Sequence, residues 1–184
     1  APCWMRARCR PARSSTTYLE SIQYGQICAV FSCVVRHFVP PRGARPRILD
    51  LTHGSGEFWA LCRDEFDVIR LDLDPDGSLL AGGHIDQRHD FRDPLPYPDA
   101  HFDGVVLDPP WSLYRSAKGK VGYAASTYSA PYRSLSEMRL GPSAAEWGRV
   151  LRDGGVLIVR LQDSHRRGRA VLMSQIVPRA IEES

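Results

Sequence analysis

The sequence predicts an α/β fold, a mostly parallel sheet of about five strands with helices on both faces. Three observations carry that expectation. From residue 47 onward, short apolar runs alternate with segments long enough for helices. The runs are nearly continuous rather than alternating apolar and polar, as strands covered on both faces require. The first and fourth runs also end in loop-forming residues, "DLTHGSG" and "DPPW". In open α/β sheets the carboxyl ends of strands are where ligands bind.

The elements run in order along the chain. Residues 1–17 are rich in arginine and serine, lack a hydrophobic period, and read as a flexible basic arm. Residues 18–38 read as a helix with Thr16 or Thr17 as N-cap, and "VPPRGARP" (39–46) then breaks the chain. Strands are expected at 47–51, 67–73, 85–91, 102–108 and 154–162. Helices are expected at 57–64, briefly at 77–83, at 142–152 and at 168–181, with a long loop over 112–141. Residues 18–184 then form one domain: a helix at 18–38, a ligand-binding core at 47–110, the loop at 112–141 and a C-terminal part at 142–184.

Composition narrows the class. With 43% hydrophobic and 24% charged residues, the 184-residue chain can bury an ordinary core. The apolar run "ICAVFSCVV" (27–35) is too short to span a bilayer, and no secretory leader pattern is present. The chain opens on Ala1 rather than methionine, which leaves its natural start open. Five cysteines at 3, 9, 28, 33 and 62 show no C-x-x-C pair or zinc spacing. Reduced thiols, no metal and a cytoplasmic location are the expectation. Residues 1–47 hold eight arginines against Glu20, a local charge of +7 that leaves −4 on the rest of a +3 chain. A basic arm on an acidic body suits a polyanion partner, although a solvated arginine tail would look the same.

The glycine turn after the first strand reads Asp50-x-x-x-Gly54-x-Gly56. Glycine is needed where backbone approaches a ligand closely or takes positive φ. The dinucleotide pattern G-x-G-x-x-G is not met, because its third glycine position is Trp59, and no G-K-S/T of a phosphate loop is present. The D-x-x-x-G-x-G turn resembles the first motif of the S-adenosylmethionine (SAM) dependent methyltransferases, whose fold is Rossmann-like. That resemblance implies that Gly54 and Gly56, with Thr52 and His53 between the acid and the glycines, admit the methionine part of SAM. It also implies that Asp50 contacts the amino group. His53 is expected as a loop residue beside the cofactor rather than a base. Asp72, at the end of the second strand, would accept both ribose hydroxyls, with Asp74 as its competitor. Asp90 and Phe91 would hold the adenine amine and pack on its ring, a turn acid being the plain alternative for Asp90.

An acid, two prolines and an aromatic after the fourth strand, here Asp108-Pro109-Pro110-Trp111, resembles the loop of methyltransferases that act on conjugated amines. Prolines end a strand and stiffen the loop beyond it. Such an amine is a poor nucleophile because its lone pair is delocalised. Asp108 and the Pro109 carbonyl would accept its two hydrogens, and the prolines hold those acceptors ready in advance. Trp111 offers a flat face to a base, worth roughly 1–3 kcal/mol, and a base within a duplex must be flipped out. SAM carries the reactivity and leaves as S-adenosylhomocysteine. The resemblance covers about residues 47–163, in the order with the glycine loop first, and "LRDGGVLIVRLQD" resembles the fifth-strand region of small bacterial and phage DNA methyltransferases.

The family ends its seven-stranded sheet with a hairpin after the fifth strand. The residues after Gln162 suffice for a helix but not for that pair too, so the hairpin is expected to be missing, leaving a sheet edge for a homodimer or partner subunit to cover. In the 112–141 loop, Tyr114, Arg115, Lys118 and Lys120 lead a mix of aromatic and basic residues that suits a nucleic-acid strand, a polar surface loop being the alternative. His165, Arg166 and Arg167 read as a solvated helix start. The expectation is a SAM-dependent methyltransferase of the adenine amine in DNA, without a membrane partner. Cytosine in DNA, an RNA base and a protein glutamine amide are the enzyme alternatives. A catalytically inactive SAM-fold module that binds nucleic acid or a partner is the alternative of another class.

Overall fold

The computed structural model of the protein describes residues 27–39, 41, 44–73, 84–109, 140–161, 164–166 and 169–171. The expected arm at 1–17, the helix turns before residue 27, the short helix at 77–83 and nearly all of the 112–141 loop lie outside them.

Helix α1 (Ile27–Phe38) turns Cys28, Phe31, Ser32 and Val35 inward, the spacing of one helical face. Arg36 and His37 in its last turn suit the negative end of the helix. Strands β1 (Arg47–Asp50), β2 (Asp67–Asp72), β3 (Gln87–Arg88) and β4 (Phe102–Leu107) come next, then helix α2 (Leu140–Val150) and strand β5 (Leu151–Val159). The five strands form one parallel sheet in the order β3-β2-β1-β4-β5.

Both faces of the sheet are covered, and residue parity along each strand assigns the side. Ile48, Val68 and Val106 pack with Phe31, Val35, Val39 and Trp59 on the α1 face. Leu49, Leu71, Val105 and Leu107 pack with Trp147 and Val150 of α2 on the other. Apolar residues at consecutive positions are therefore needed, which is why the strands were legible as continuous runs.

Three expectations need correction. The segment 57–64 is not an α-helix but two short 3₁₀ turns, Glu57–Leu61 and Arg63–Glu65, broken at Cys62, whose φ is −144°. Trp59 and Cys62 are both buried in the core. Burial pushes the Cys62 thiol up to about 11, as expected of an inert core residue. The expected strand at 154–162 begins earlier, at Leu151, because its register against β4 shifts between Phe102 and Gly104. Finally, 169–171 is not helical: β6 (Ser164–Arg166) and β7 (Arg169–Val171) pair antiparallel as a two-stranded sheet of their own, separate from the main one. His165 and Arg166 thus belong to a strand, not a helix start. No described helix is long and apolar enough to cross a membrane.

Helix α2 is anchored by its polar side as well. Glu146 accepts the Leu95 N–H at 2.9 Å and two hydrogen bonds from Arg149, which also donates to the Leu95 and Tyr97 carbonyls and to Asp99. The Arg149 hydrogen bonds first, and the Leu95 N–H second, hold the Glu146 carboxyl down to about 2. Its folded value lies below the ordinary 4.5, so its stabilisation is present above about pH 4.5 and lost as pH falls towards about 2. We expect acid unfolding followed by circular dichroism to be shallower over that window in Glu146→Gln. An unchanged pH slope would show that the network contributes nothing to acid stability.

Candidate functional site

Strand order reverses between β1 and β4, since β1 connects onward to β2 on one side while β4 and β5 lie on the other. At such a switch point the two loops leaving adjacent strand ends diverge and open a crevice. The loops here are the glycine turn after β1 and the Asp108-Pro109 turn after β4.

The glycine turn is built around Asp50, 2% exposed at the end of β1. Its carboxylate accepts the Trp59 indole N–H at 2.7 Å, faces His53 Nδ1 at 2.8 Å and accepts the Thr52 N–H at 3.3 Å. A carboxylate only accepts, so Nδ1 carries the hydrogen of the His53 ring. Trp59 is in turn wedged edge-on against Phe31 of α1, ring centroids 4.8 Å apart. The side chain of Asp50 thus makes three hydrogen-bonding contacts inside the loop. The two glycines differ. Gly54 sits at φ +55° with nothing within 4 Å of where a Cβ would lie, and its N–H donates to Asp72 Oδ2 at 2.8 Å. Gly56, at φ +73°, would bring a Cβ within 2.6 Å of His53 Nε2.

Around this turn the strand ends are laced together. His53 N–H donates to the Leu71 carbonyl and Leu51 N–H to that of Val106, both at 2.9 Å. Thr52 is the link to β4: its Oγ1 accepts the Asp108 N–H at 2.7 Å. Asp108 Oδ2 accepts Arg160 Nη1 at 2.9 Å. Asp50, Thr52, His53, Gly54, Gly56, Asp72, Asp108 and the buried Pro109 therefore gather at one end of the sheet.

Asp90 and Phe91 come after β3. Arg92 grips the Asp90 carboxylate through its guanidinium and its own N–H. Burial alone would raise the Asp90 carboxyl, but the Arg92 side-chain and backbone hydrogen bonds and the charges of Arg92 and His89 outweigh it and hold it below its ordinary value. Phe91, 4% exposed, packs in the core beside Trp147, whose indole N–H donates to the Phe91 carbonyl at 3.3 Å. Pro110, Trp111, Tyr114, Arg115, Lys118 and Lys120 lie outside the described residues.

Sequence reasoning missed Trp59, Arg92 and Arg160. Trp59 was visible only as the residue that spoils a dinucleotide pattern. Arg92 was open to notice as a cation two residues from Asp90, whereas Arg160 becomes a neighbour of Asp108 only through strand order.

No protein-family model and no curated protein sequence matches the chain. Solved structures do. The cyclase SpnF is 18% identical with a TM-score of 0.52, over 85% of this chain and 56% of its own. The PH0226 protein from Pyrococcus horikoshii OT3 is 19% identical, TM-score 0.48, over 76% and 58%. A SAM-dependent methyltransferase from Archaeoglobus fulgidus is 19% identical, TM-score 0.42, over 68% and 48%. The chain spans roughly half the length of these structures. At such identity the likeness is one of architecture, and by that measure the chain has a Rossmann-like α/β fold, similar to that of SpnF.

Proposed function

We propose that the chain is a SAM-dependent methyltransferase that modifies the exocyclic amine of a nucleic-acid base, adenine in DNA. The observation that carries this reading is the Asp108 N–H bond to Thr52 Oγ1, which joins an acceptor loop to a glycine turn across the β1/β4 switch point. A ligand held by one loop is then presented to a substrate held by the other.

The residues fit the cofactor. The open space in front of Gly54 admits close approach to backbone, as the methionine end of SAM needs. His89 Nε2, just beyond β3, is buried with no hydrogen-bond partner among the described residues and can take a polar atom of the nucleoside. Gly54, Gly56, Thr52, Asp72, His89 and Asp90 would hold the cofactor. Asp50 and His53 act behind them, bracing the turn, and Phe91 supports Asp90 from the core. When bound, SAM supplies an electrophilic methyl group on its sulfonium.

The chain's own part is orientation. Asp108 and the Pro109 carbonyl accept the two hydrogens of the amine, which fixes the nitrogen and directs its lone pair. Trp111, assigned from the sequence, stacks on the base, with Tyr114, Arg115, Lys118 and Lys120 along the strand. The test is transfer of labelled methyl from SAM to pooled single- and double-stranded DNA and RNA, with nucleoside digestion and mass spectrometry. Labelled methyladenine from DNA is the expected result. Label on cytosine, or in RNA alone, changes the substrate and keeps the chemistry. Absence of label, with SAM still bound, overturns the nucleic-acid reading and turns the search towards protein amides or a non-catalytic role.

A further inference from the structure

Asp108 does not stand alone at the end of β4. Arg160, the residue after β5, donates its N–H to the Leu107 carbonyl at 2.9 Å and its Nη1 to Asp108 Oδ2, also at 2.9 Å. Its guanidinium lies 5.5 Å from the centroid of the Phe58 ring, which stacks on Phe31 of α1 at 5.1 Å. Backbone, aromatic face and carboxylate thus hold the arginine, 39% exposed, against a largely covered Asp108, 12% exposed. Such a fixed, flat cation over a ring is what arginine does and lysine does less well.

We propose that Arg160 is a positioning and specificity-determining residue: paired with Asp108, it makes the acceptor site electrically neutral, so that the site takes a neutral conjugated amine and turns away an alkylammonium. The inference rests on the methyltransferase reading above and names its substrate class. An unpaired, partly buried carboxylate attracts cations. An alkylamine, with a conjugate acid near that of lysine at about 10.4, arrives at neutral pH as a cation whose lone pair already holds a proton. It would be bound well and methylated poorly, a trap at the site of chemistry. A base amine carries no charge. The cation beside Asp108 cancels the carboxylate's charge, so the pair removes the attraction for the ammonium while leaving carboxylate oxygen as acceptor. The same contact fixes the plane of the Asp108 carboxylate, to which hydrogen bonds to the amine are sensitive. Solvent reaches Arg160 and weakens the pair, so the effect expected is about tenfold in preference rather than thousandfold.

The test uses the full chain and two short oligodeoxynucleotides, one carrying adenine and the other, at the same position, a uracil with a primary aminoalkyl arm. The two differ in the target amine while their phosphates are equal. The chain is expected to methylate adenine in preference. In Arg160→Gln, kcat on adenine should fall about tenfold and the preference for the ammonium oligonucleotide, by Kd in the presence of S-adenosylhomocysteine, should rise about tenfold. Arg160→Lys, which keeps the charge but not the planar fork, should keep the binding preference and lose part of kcat. Circular dichroism of both variants checks the fold. An unchanged preference in Arg160→Gln, or equal weakening towards both oligonucleotides, overturns the inference. If the unaltered chain methylates neither oligonucleotide, the reading as a DNA-adenine methyltransferase fails. The binding comparison still decides on Arg160, a tenfold shift in preference supporting the neutral pair and its absence overturning it.

Discussion

Alanine at Gly56 is expected to disrupt the glycine turn and abolish SAM binding. The backbone there sits at φ +73°, a left-handed conformation that costs a residue with a Cβ about 1–2 kcal/mol. The new methyl carbon would lie 2.6 Å from His53 Nε2, and the ring cannot retreat without leaving Asp50, to which its Nδ1 is bonded at 2.8 Å. Leaving that buried carboxylate short of a donor costs about 1–3 kcal/mol more. A combined loss of about 2–5 kcal/mol corresponds to a melting temperature lower by about 10 °C in a chain of 184 residues. Gly56→Arg should do the same to a greater degree. Gly54→Ala is the control: it carries the strain of φ +55° but meets nothing within 4 Å. It should cost about 1–2 kcal/mol in stability while its methyl group fills the space we assign to SAM. Thermal melts and titration calorimetry with SAM separate the two effects. A Gly56→Ala chain that melts with the unaltered one would show that His53 and Asp50 do not brace the turn.

Asp108→Ala should lower methyl transfer by about 10²–10³-fold, the scale of losing one pre-organised hydrogen-bonding group from a reaction site. SAM affinity should stay within about twofold, because the glycine turn is built from Asp50, His53 and Trp59 and does not use the Asp108 side chain. The fold should hold as well. The link to Thr52 runs through the Asp108 backbone N–H, and the partly exposed Arg160 can turn to water once its partner is gone. Single-turnover rates with SAM in excess, beside calorimetric affinity, check both halves. Equal loss of SAM affinity in the Asp108 and Gly56 variants would end the division into a cofactor loop and an acceptor loop.

The elements that were legible are those whose physics is local. The runs at 47–51, 67–73 and 102–108 appear as Arg47–Asp50, Asp67–Asp72 and Phe102–Leu107, because a strand covered on both faces must be apolar throughout and a glycine turn or proline must end it. The helical stretch that became α1 was equally local. The misleading segments were decided by tertiary contacts. The 57–64 segment has helical composition, yet it forms 3₁₀ turns broken at Cys62, with Trp59 bonded to Asp50 and Cys62 buried. Residues 169–171 fall in a segment that reads as helix by propensity, and pairing with Ser164–Arg166 decides for the strand.

The candidate site divides along the same line. Asp50, Gly54, Gly56 and Asp108 were visible because backbone chemistry marks them: strand ends, positive φ, a proline-stiffened turn. Their partners were not. Thr52 meets Asp108 because β1 lies beside β4, and Arg160 meets it because β5 lies on the other side of β4. Local composition dictates which segments become strands and where backbone can bend. Strand order, a choice made by packing helices over both faces of the sheet, dictates which strand ends become neighbours, and so which cation stands beside Asp108.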